Sequence, residues 1–414
     1  MDGRSSYIGG KIEMISIGID ISKGKSTVCF LKPYGELVKS PFEITHTEGS
    51  LTYLSTLIKS LSEDEVKIVM ESTGSYHLPI LTFLKSQGFF VSVINPLLMK
   101  KYTCLTLRKG KTDTLDSVKI ANYGLDNWFK LKDYQVSDDI YSELKILNSQ
   151  YLSYMQLHIN ASQNLTLLLD RTMPGIKELL RNRPDSPDHD KLCSFAKKYW
   201  HFDCITKKPE QVFIAEYNNW AKKEGYRASE LKASQIYALA LEGIPTLSST
   251  TPSTKMLVVE AVKTMFCIDK TLVCILARMQ ELAKSLKEYE TVRSMPGVGD
   301  VLAPRLIAEI GDVRRFYNAS ALIAYAGLDA PPFQSGSFEA QKRRISKRGS
   351  ASLRLTGYQV MRCLKQIKPT EDNAVYLFIL KKEAEGKPKK VAKIAGLNKF
   401  LRIYYARVKE AYSI

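Results

Sequence analysis

An α/β domain followed by a long helical coiled-coil middle and a mainly α, basic C-terminal domain is the fold class this sequence predicts. Three observations carry it. Short β-branched and apolar runs recur through the first hundred positions, and two of them, Met14 to Asp20 and Val66 to Met70, run straight into a carboxylate. Two long stretches with helical apolar spacing, Asp138 to Leu169 and Met256 to Tyr289, follow in the middle. Between residues 334 and 414, 19 Lys and Arg stand against 6 Asp and Glu.

Totals bound the rest. With 414 residues and 44% hydrophobic content the chain can bury a substantial core and divide into two or three domains. No uncharged apolar run is long enough for a membrane span. The basic start leads into Glu13 and strand-like alternation rather than a signal-peptide core, so a cytoplasmic protein without a membrane partner is expected. Seven cysteines without a repeating spacing fit reduced thiols. His189, Cys193, His201 and Cys204 come nearest to a metal pattern, but they lack both CxxC and HxxxH, and ordinary packing roles are expected of them. A net charge of +17, concentrated at the C-terminal end, points to a polyanionic partner, since each neutralised phosphate releases counterions.

Residues 1–13 are polar, carry Gly9-Gly10, and read as a disordered leader. Met14 to Asp20, Ser26 to Lys32 and Leu37 to Ile44 read as three strands in an antiparallel meander, with Tyr34-Gly35-Glu36 as a turn. Glu48 to Leu61 has helical spacing; Val66 to Met70 is a buried strand ending at Glu71. Leu78 to Leu84 reads as a helix and Phe89 to Ile94 as a strand closed by Asn95-Pro96. The order β-β-β-α-β-α-β is that of a ribonuclease-H-like sheet, and carboxylates at strand ends stand where α/β sites gather.

A helix over Thr112 to Tyr123 places Asp113 and Asp116 on one face at i, i+3. Taken singly each acid has a plain role, Asp113 or Thr112 as an N-cap and Asp20 as a strand-end residue. The two long middle helices, with an insert between them, read as an antiparallel or intermolecular coiled coil that spaces or dimerises. Farther on, Met295-Pro296-Gly297-Val298-Gly299-Asp300 lies between helices and reads as a helix-hairpin-helix, whose Gly297 and Gly299 turn offers backbone N–H groups to a phosphate. Phe333 to Ser337 forms an exposed polar loop, Lys342, Arg343, Arg344, Lys347 and Arg348 follow, and the remainder is helical with breaks at Gly386 and Gly396. The domains are thus 14–130, 131–290 and 291–414.

Four carboxylates in one pocket repel one another unless a cation lies between them. Oxygen donors at strand ends suit Mg²⁺ or Mn²⁺, the ions of phosphoryl transfer. The fold order predicts that Asp20, Glu71, Asp113 and Asp116 converge.

Gly18-Ile19-Asp20-Ile21-Ser22-Lys23, Met70-Glu71-Ser72-Thr73-Gly74-Ser75-Tyr76-His77, Val93-Ile94-Asn95-Pro96 and Lys111-Thr112-Asp113-Thr114-Leu115-Asp116 resemble successive blocks of the DEDD transposases of insertion sequences. That group is related to the Piv DNA invertase, and its N-terminal domain is similar to the junction nuclease RuvC. Met295 to Gly299, Ala324-Tyr325-Ala326-Gly327-Leu328, Gln334-Ser335-Gly336 and Ile345-Ser346-Lys347-Arg348-Gly349 resemble the family's C-terminal transposase domain. The likeness covers about residues 14 to 125 and 290 to 365.

The resemblance implies that Asp20, Glu71, Asp113 and Asp116 are the catalytic and metal-binding acids of a RuvC-like domain. It makes Ser335 the nucleophile that joins a DNA phosphate, with Ser337 its rival across Gly336. It also implies a prokaryotic recombinase acting on donor and target DNA, guided by a structured RNA and assembled as a homo-oligomer, a dimer or tetramer. Lys111, Lys342, Arg343, Arg344, Lys347 and Arg348 are expected to grip phosphates rather than read bases. Two other readings remain open. In one, a metal-dependent junction nuclease uses water and not serine; in the other, a non-catalytic nucleic-acid-binding protein uses the acids only as caps.

Overall fold

The computed structural model describes residues 14–61, 65–104, 112–134, 139–180, 189–331, 334–335, 338–339 and 344–413. The expected leader, 1–13, lies outside them. The chain divides into two compact units, residues 1–136 and 137–414.

The first unit is a mixed α/β sheet domain with strands β1 (Met14–Ile21), β2 (Lys25–Leu31), β3 (Leu37–Thr45), β4 (Glu65–Glu71) and β5 (Val91–Ile94). Spatial order is β3-β2-β1-β4-β5. The first three strands form the expected antiparallel meander, while β4 and β5 join β1 in parallel. Ile15, Ile17, Ile19, Ile68 and Met70 fill one face of the sheet, against Leu51, Leu54 and Ile58 of α1 (Glu48–Lys59) and Ile80, Leu81 and Leu84 of α2 (Leu78–Ser86). A helix that periodicity does not predict, α3 (Pro96–Thr103), starts at Asn95-Pro96, because Asn95 caps it by accepting from Leu97 N–H and Pro96 is pre-set for a first turn.

The opposite face carries α4 (Asp113–Asp126). It lies close because the contact has a glycine on each side, Gly18 on β1 and Gly124 on α4 itself. A Cβ on Gly18 would come within 2.3 Å of Ala121 N and Ser117 O, and one on Gly124 within 2.1 Å of Ser16 Oγ. A larger residue at Gly18 would have to displace the helix backbone, and one at Gly124 the side chains of Ser16 and Val69.

The second unit is mostly helical. Helices α5 (Asp139–Thr172) and α11 (Pro252–Lys284) are the two long ones expected. They run antiparallel within one chain, with Glu143 bonded to Arg278 at 3.0 Å and His158 Nδ1 to Asp269 at 2.7 Å. Between them come α6 (Ile176–Leu180), α7 (Lys191–Lys198), α8 (Asp203–Thr206), α9 (Glu210–Lys223) and α10 (Glu230–Glu242). These short helices share an aromatic core, including Phe195, Phe213, Tyr217 and Trp220, with one end of the long pair.

At the other end, Leu144, Tyr151, Leu272 and Met279 join the C-terminal core. That core is built by α12 (Tyr289–Ser294), α13 (Gly299–Ile310), α14 (Ala319–Tyr325), α15 (Ala351–Ile367), α16 (Ala374–Ala384) and α17 (Lys389–Ala411). A two-residue ribbon, β6 (Gln334–Ser335) with β7 (Phe338–Glu339), lies between α14 and α15 in sequence. Gly386 separates α16 from α17, but Gly396 lies inside α17 rather than breaking it. Its bare Cα admits Ile379, whose side chain would be 2.4 Å from an added Cβ. Tyr404 and Tyr405 are core residues.

Candidate active site

Strand register decides where the first two acids go. Ile19 stands opposite Met70 in the parallel β1–β4 pair. Asp20 and Glu71 are therefore the next two positions, at the carboxyl ends of adjacent strands. Paired positions of parallel strands leave the sheet on the same side, and alternation sends these two away from the Ile19 and Met70 core, onto the α4 face. Both are half-buried.

Helix α4 brings the second pair toward the same strand ends. Gly124 lies over Ser16, and Ala121 and Ser117 lie over Gly18. Each step back along the helix thus moves forward along β1, and the first turn, holding Asp113 and Asp116, continues in the direction of Asp20. Asp116 shares a stripe with Ile120, which packs against Val69, Ile94 and Met99 on the β4–β5 side. Asp113 instead lines a cleft of about 440 Å³ with Thr27, Pro41, Phe42 and Glu43 on the β2–β3 side. The helix cap is Thr112, whose hydroxyl accepts from Leu115 N–H at 3.2 Å, so Asp113 is released from that role.

Two lysines that sequence reasoning passed over accompany these acids. Lys119 Nζ is 2.7 Å from Asp116 Oδ1, an i, i+3 pair on the helix. Lys25 bonds Glu43 at 2.6 Å; that hydrogen bond chiefly raises its ammonium above the ordinary lysine value, and Asp113 adds to the effect. The i, i+3 spacing of Asp116 and Lys119 was the available signal. Among the described residues no group of three or more His, Cys, Asp or Glu side chains is arranged to hold a metal ion. The structure thus brings Asp20 and Glu71 to neighbouring strand ends but does not gather three of the four acids into one cage.

In the helical unit two of the motifs noted in sequence clasp each other backbone to backbone. Ser346 N–H donates to Asp329 O at 2.8 Å, Lys347 N–H to Gly327 O at 3.0 Å and Ser350 N–H to Tyr325 O at 2.8 Å. Gly349 permits this approach, since a Cβ there would be 2.0 Å from Tyr325 O. Arg354 Nη1 closes the clasp by donating to Ala326 O at 2.9 Å and Gly349 O at 3.0 Å.

Beneath it lies Glu309, a buried carboxylate that accepts from Asn148 at 2.7 Å, Lys145 at 3.0 Å, Ser350 at 3.1 Å and Ser352 at 2.6 Å. Burial alone would raise its pKa, but the Ser352 hydrogen bond and the Lys145 charge leave it below the usual carboxylate range. The clasp leaves Arg344, Lys347 and Arg348 at the surface, with Lys347 in the left-handed region at φ 55°.

Ser335 enters the β6–β7 ribbon, its backbone opposite Phe338. The segment expected as an exposed loop is therefore partly paired. Ser337, Lys111, Lys342 and Arg343 lie outside the described residues. Gly297 (φ 86°) is packed against α15, where a Cβ would be 2.8 Å from Val360 O, whereas the space beside Gly299 (φ 61°) is open. His189 is engaged with Glu224 O at 2.9 Å and stacks on Tyr226, and His201 bonds Leu247 O at 2.9 Å. Both histidines serve the packing of the short helices.

Comparison with known proteins matches residues 17–174 to the DEDD family of IS110 transposases, described as Transposase, and residues 289–376 to the Transposase IS116/IS110/IS902 family. The chain is 23% identical over 403 residues to the pilin gene-inverting protein of Moraxella lacunata, with 95% of each chain covered. It is 22% identical over 340 residues to the insertion element IS116 uncharacterized 44.8 kDa protein of Streptomyces clavuligerus, with 78% of each covered. A shorter stretch of 76 residues, 18% of this chain and 21% of the relative, is 36% identical to the transposase for insertion sequence element IS1111A of Coxiella burnetii. With the acid-bearing sheet under one match and the Gly327–Gly349 clasp under the other, the chain belongs to the DEDD transposases of the IS110/IS116 insertion-sequence family, enzymes that cut and rejoin DNA.

Proposed function

We propose that this transposase works through a ribonuclease-H-like, RuvC-like acidic site and a covalent serine step. The observation that carries the reading is the register of β1 and β4, which sets Asp20 beside Glu71 on the face that α4 crosses. Strand order β3-β2-β1-β4-β5 supports it. Asp20 and Glu71, joined by Asp113 and Asp116 once the first turn of α4 draws in, are the residues that would hold Mg²⁺ or Mn²⁺, and their all-oxygen donor set fits hard cations. A divalent ion bound there supplies charge neutralisation and Lewis acidity toward a phosphodiester.

The chain's own residues do the rest. Asp116 exchanges its pairing with Lys119 for the work of the site, and the lysine ammonium turns to the phosphate. The hydroxyl of Ser335, with Ser337 as the alternative, attacks the scissile phosphorus; the 3′ oxygen leaves as a hydroxyl, and a phosphoserine ester retains the bond energy for rejoining. Arg344, Lys347 and Arg348, together with Lys111, Lys342 and Arg343, hold backbone phosphates in register. The helix-hairpin-helix at Gly297 and Gly299 contributes N–H groups to the same backbone. A structured guide RNA that selects donor and target DNA, and a dimer or tetramer held through the α5–α11 coiled coil, complete the reading.

The test is a pair of variants assayed on a DNA carrying element ends. Asp20→Asn should abolish cleavage while binding persists, and Ser335→Ala should abolish the covalent protein–DNA product. Cleavage surviving in Ser335→Ala and Ser337→Ala alike, with no covalent adduct, would leave the water-using nuclease reading in its place.

A further inference from the structure

Helices α13 and α15 enclose a cleft of about 440 Å³. Its walls are apolar at Val301 and Leu302 and polar at Arg305, Gln359 and Arg362, and its one acid, Asp300, is paired with Arg293. The unusual member is Arg305. It is only 4% exposed, yet among the described residues it bonds amide oxygens alone, Gln359 Oε1 at 2.8 Å and Asn148 Oδ1 at 3.4 Å, with its guanidinium carbon 4.9 Å from the Tyr151 ring centroid. A buried guanidinium costs free energy unless acceptors meet its donors; the Glu309 carboxylate one turn along α13 helps to hold its charge, but the two amide oxygens meet only two of its five N–H groups. Arg362 stands exposed at the mouth. Val301, 44% exposed, makes one apolar lip.

We infer that this cleft receives one unpaired nucleotide of the nucleic acid on which the protein acts. A base is flat and apolar on its faces and lined with acceptors at its edge. Its faces match the Val301 and Leu302 wall. The fork of Arg305 and the amide nitrogen of Gln359, whose oxygen is already occupied by Arg305, match carbonyl and ring-nitrogen acceptors such as the O6 and N7 pair of guanine. Arg362 then meets the nucleotide's phosphate. A duplex cannot enter, because its bases are stacked and paired; only a bulged, flipped or single-stranded nucleotide can. Charge favours this occupant over an apolar side chain of another protein, since the α15 wall of the cleft belongs to the stretch where cations outnumber acids 19 to 6. The inference needs nucleic-acid binding but neither the acidic site nor Ser335.

Binding alone tests it, with the full chain and no cleavage step. The probes are a fluorescein-labelled duplex with one central unpaired guanosine and the same duplex fully paired. Val301→Trp fills the mouth without changing charge. It should weaken the bulged duplex roughly tenfold, in the range that one stacked base contributes, and leave the paired duplex unchanged. As a second measurement, a photoreactive thiobase at the unpaired position should crosslink to peptides covering residues 298–302 or 359–366 of the unsubstituted protein. Equal affinity of wild type for both duplexes, equal weakening of both by Val301→Trp, or crosslinks only elsewhere would overturn the inference and leave an apolar side chain of a partner protein as the better occupant.

Discussion

Glu309 shows how one buried acid can order a basic surface segment. Its oxygens collect hydrogen bonds from α5 (Asn148, Lys145) and from the start of α15 (Ser350, Ser352), and so hold the segment that presents Arg344, Lys347 and Arg348. Glu309→Ala leaves Asn148 and both serines without their acceptor and should cost roughly 2–4 kcal/mol, measured as a lower urea midpoint at unchanged slope. Its folded pKa lies below the ordinary carboxylate value, so its stabilisation is complete above that value and disappears as pH falls through the folded pKa. Glu309→Gln should therefore flatten the acid limb of stability against pH. At the candidate site, Lys119→Met removes the ammonium that holds Asp116. If that lysine also faces the phosphate, cleavage should fall while duplex binding changes little, read by strand cleavage and anisotropy on the same DNA.

At the scale of the element, α4 is the piece whose placement matters most, and two glycines set it. Gly18→Ala puts a methyl group into the backbone of Ala121 and Ser117 and should cost about 1–3 kcal/mol, the usual range for overpacking. Because the helix must lift, the acids of its first turn move with it, and cleavage should fall further than stability explains. Gly49→Ala in α1 meets nothing within 4 Å and serves as the control, with stability unchanged or slightly raised. Circular dichroism melts beside cleavage assays separate the two effects. The motif Gly18-Ile19-Asp20 was conspicuous in sequence for its acid; that its glycine is a seat for a helix a hundred residues away was not, since no periodicity reports which backbone will lie against it.

For the whole molecule the prominent quantity is charge. A net +17, with the excess near the C-terminal end, makes DNA affinity steeply dependent on salt. Replacing Arg344, Lys347 and Arg348 together by Ala should lower the slope of log affinity against log salt by about 0.9 for each phosphate that is no longer neutralised, and by a similar amount on unrelated DNA sequences. A weakening confined to one sequence would instead make these residues base readers. The helical unit itself holds two cores, one for the short helices α6–α10 and one for the C-terminal helices, and the long α5–α11 pair enters both.

Local pattern was enough for much of this. The β-branched runs placed β1 to β5 within a few residues, helical spacing found both long helices, and the succession of the first three strands gave the meander, because alternation and 3.6-residue periodicity are properties of neighbours in sequence. The acid-bearing motifs and the Tyr325–Gly327 and Ser346–Gly349 blocks were equally plain as strings. What they do to one another was decided only by the fold: Asp20 beside Glu71 through strand register, Gly18 beneath Ala121, Gly349 against Tyr325, and a buried Arg305 at a cleft. Nearly all of these join segments whose separation along the chain says nothing of their distance in space, so packing and hydrogen-bond geometry alone could assign them.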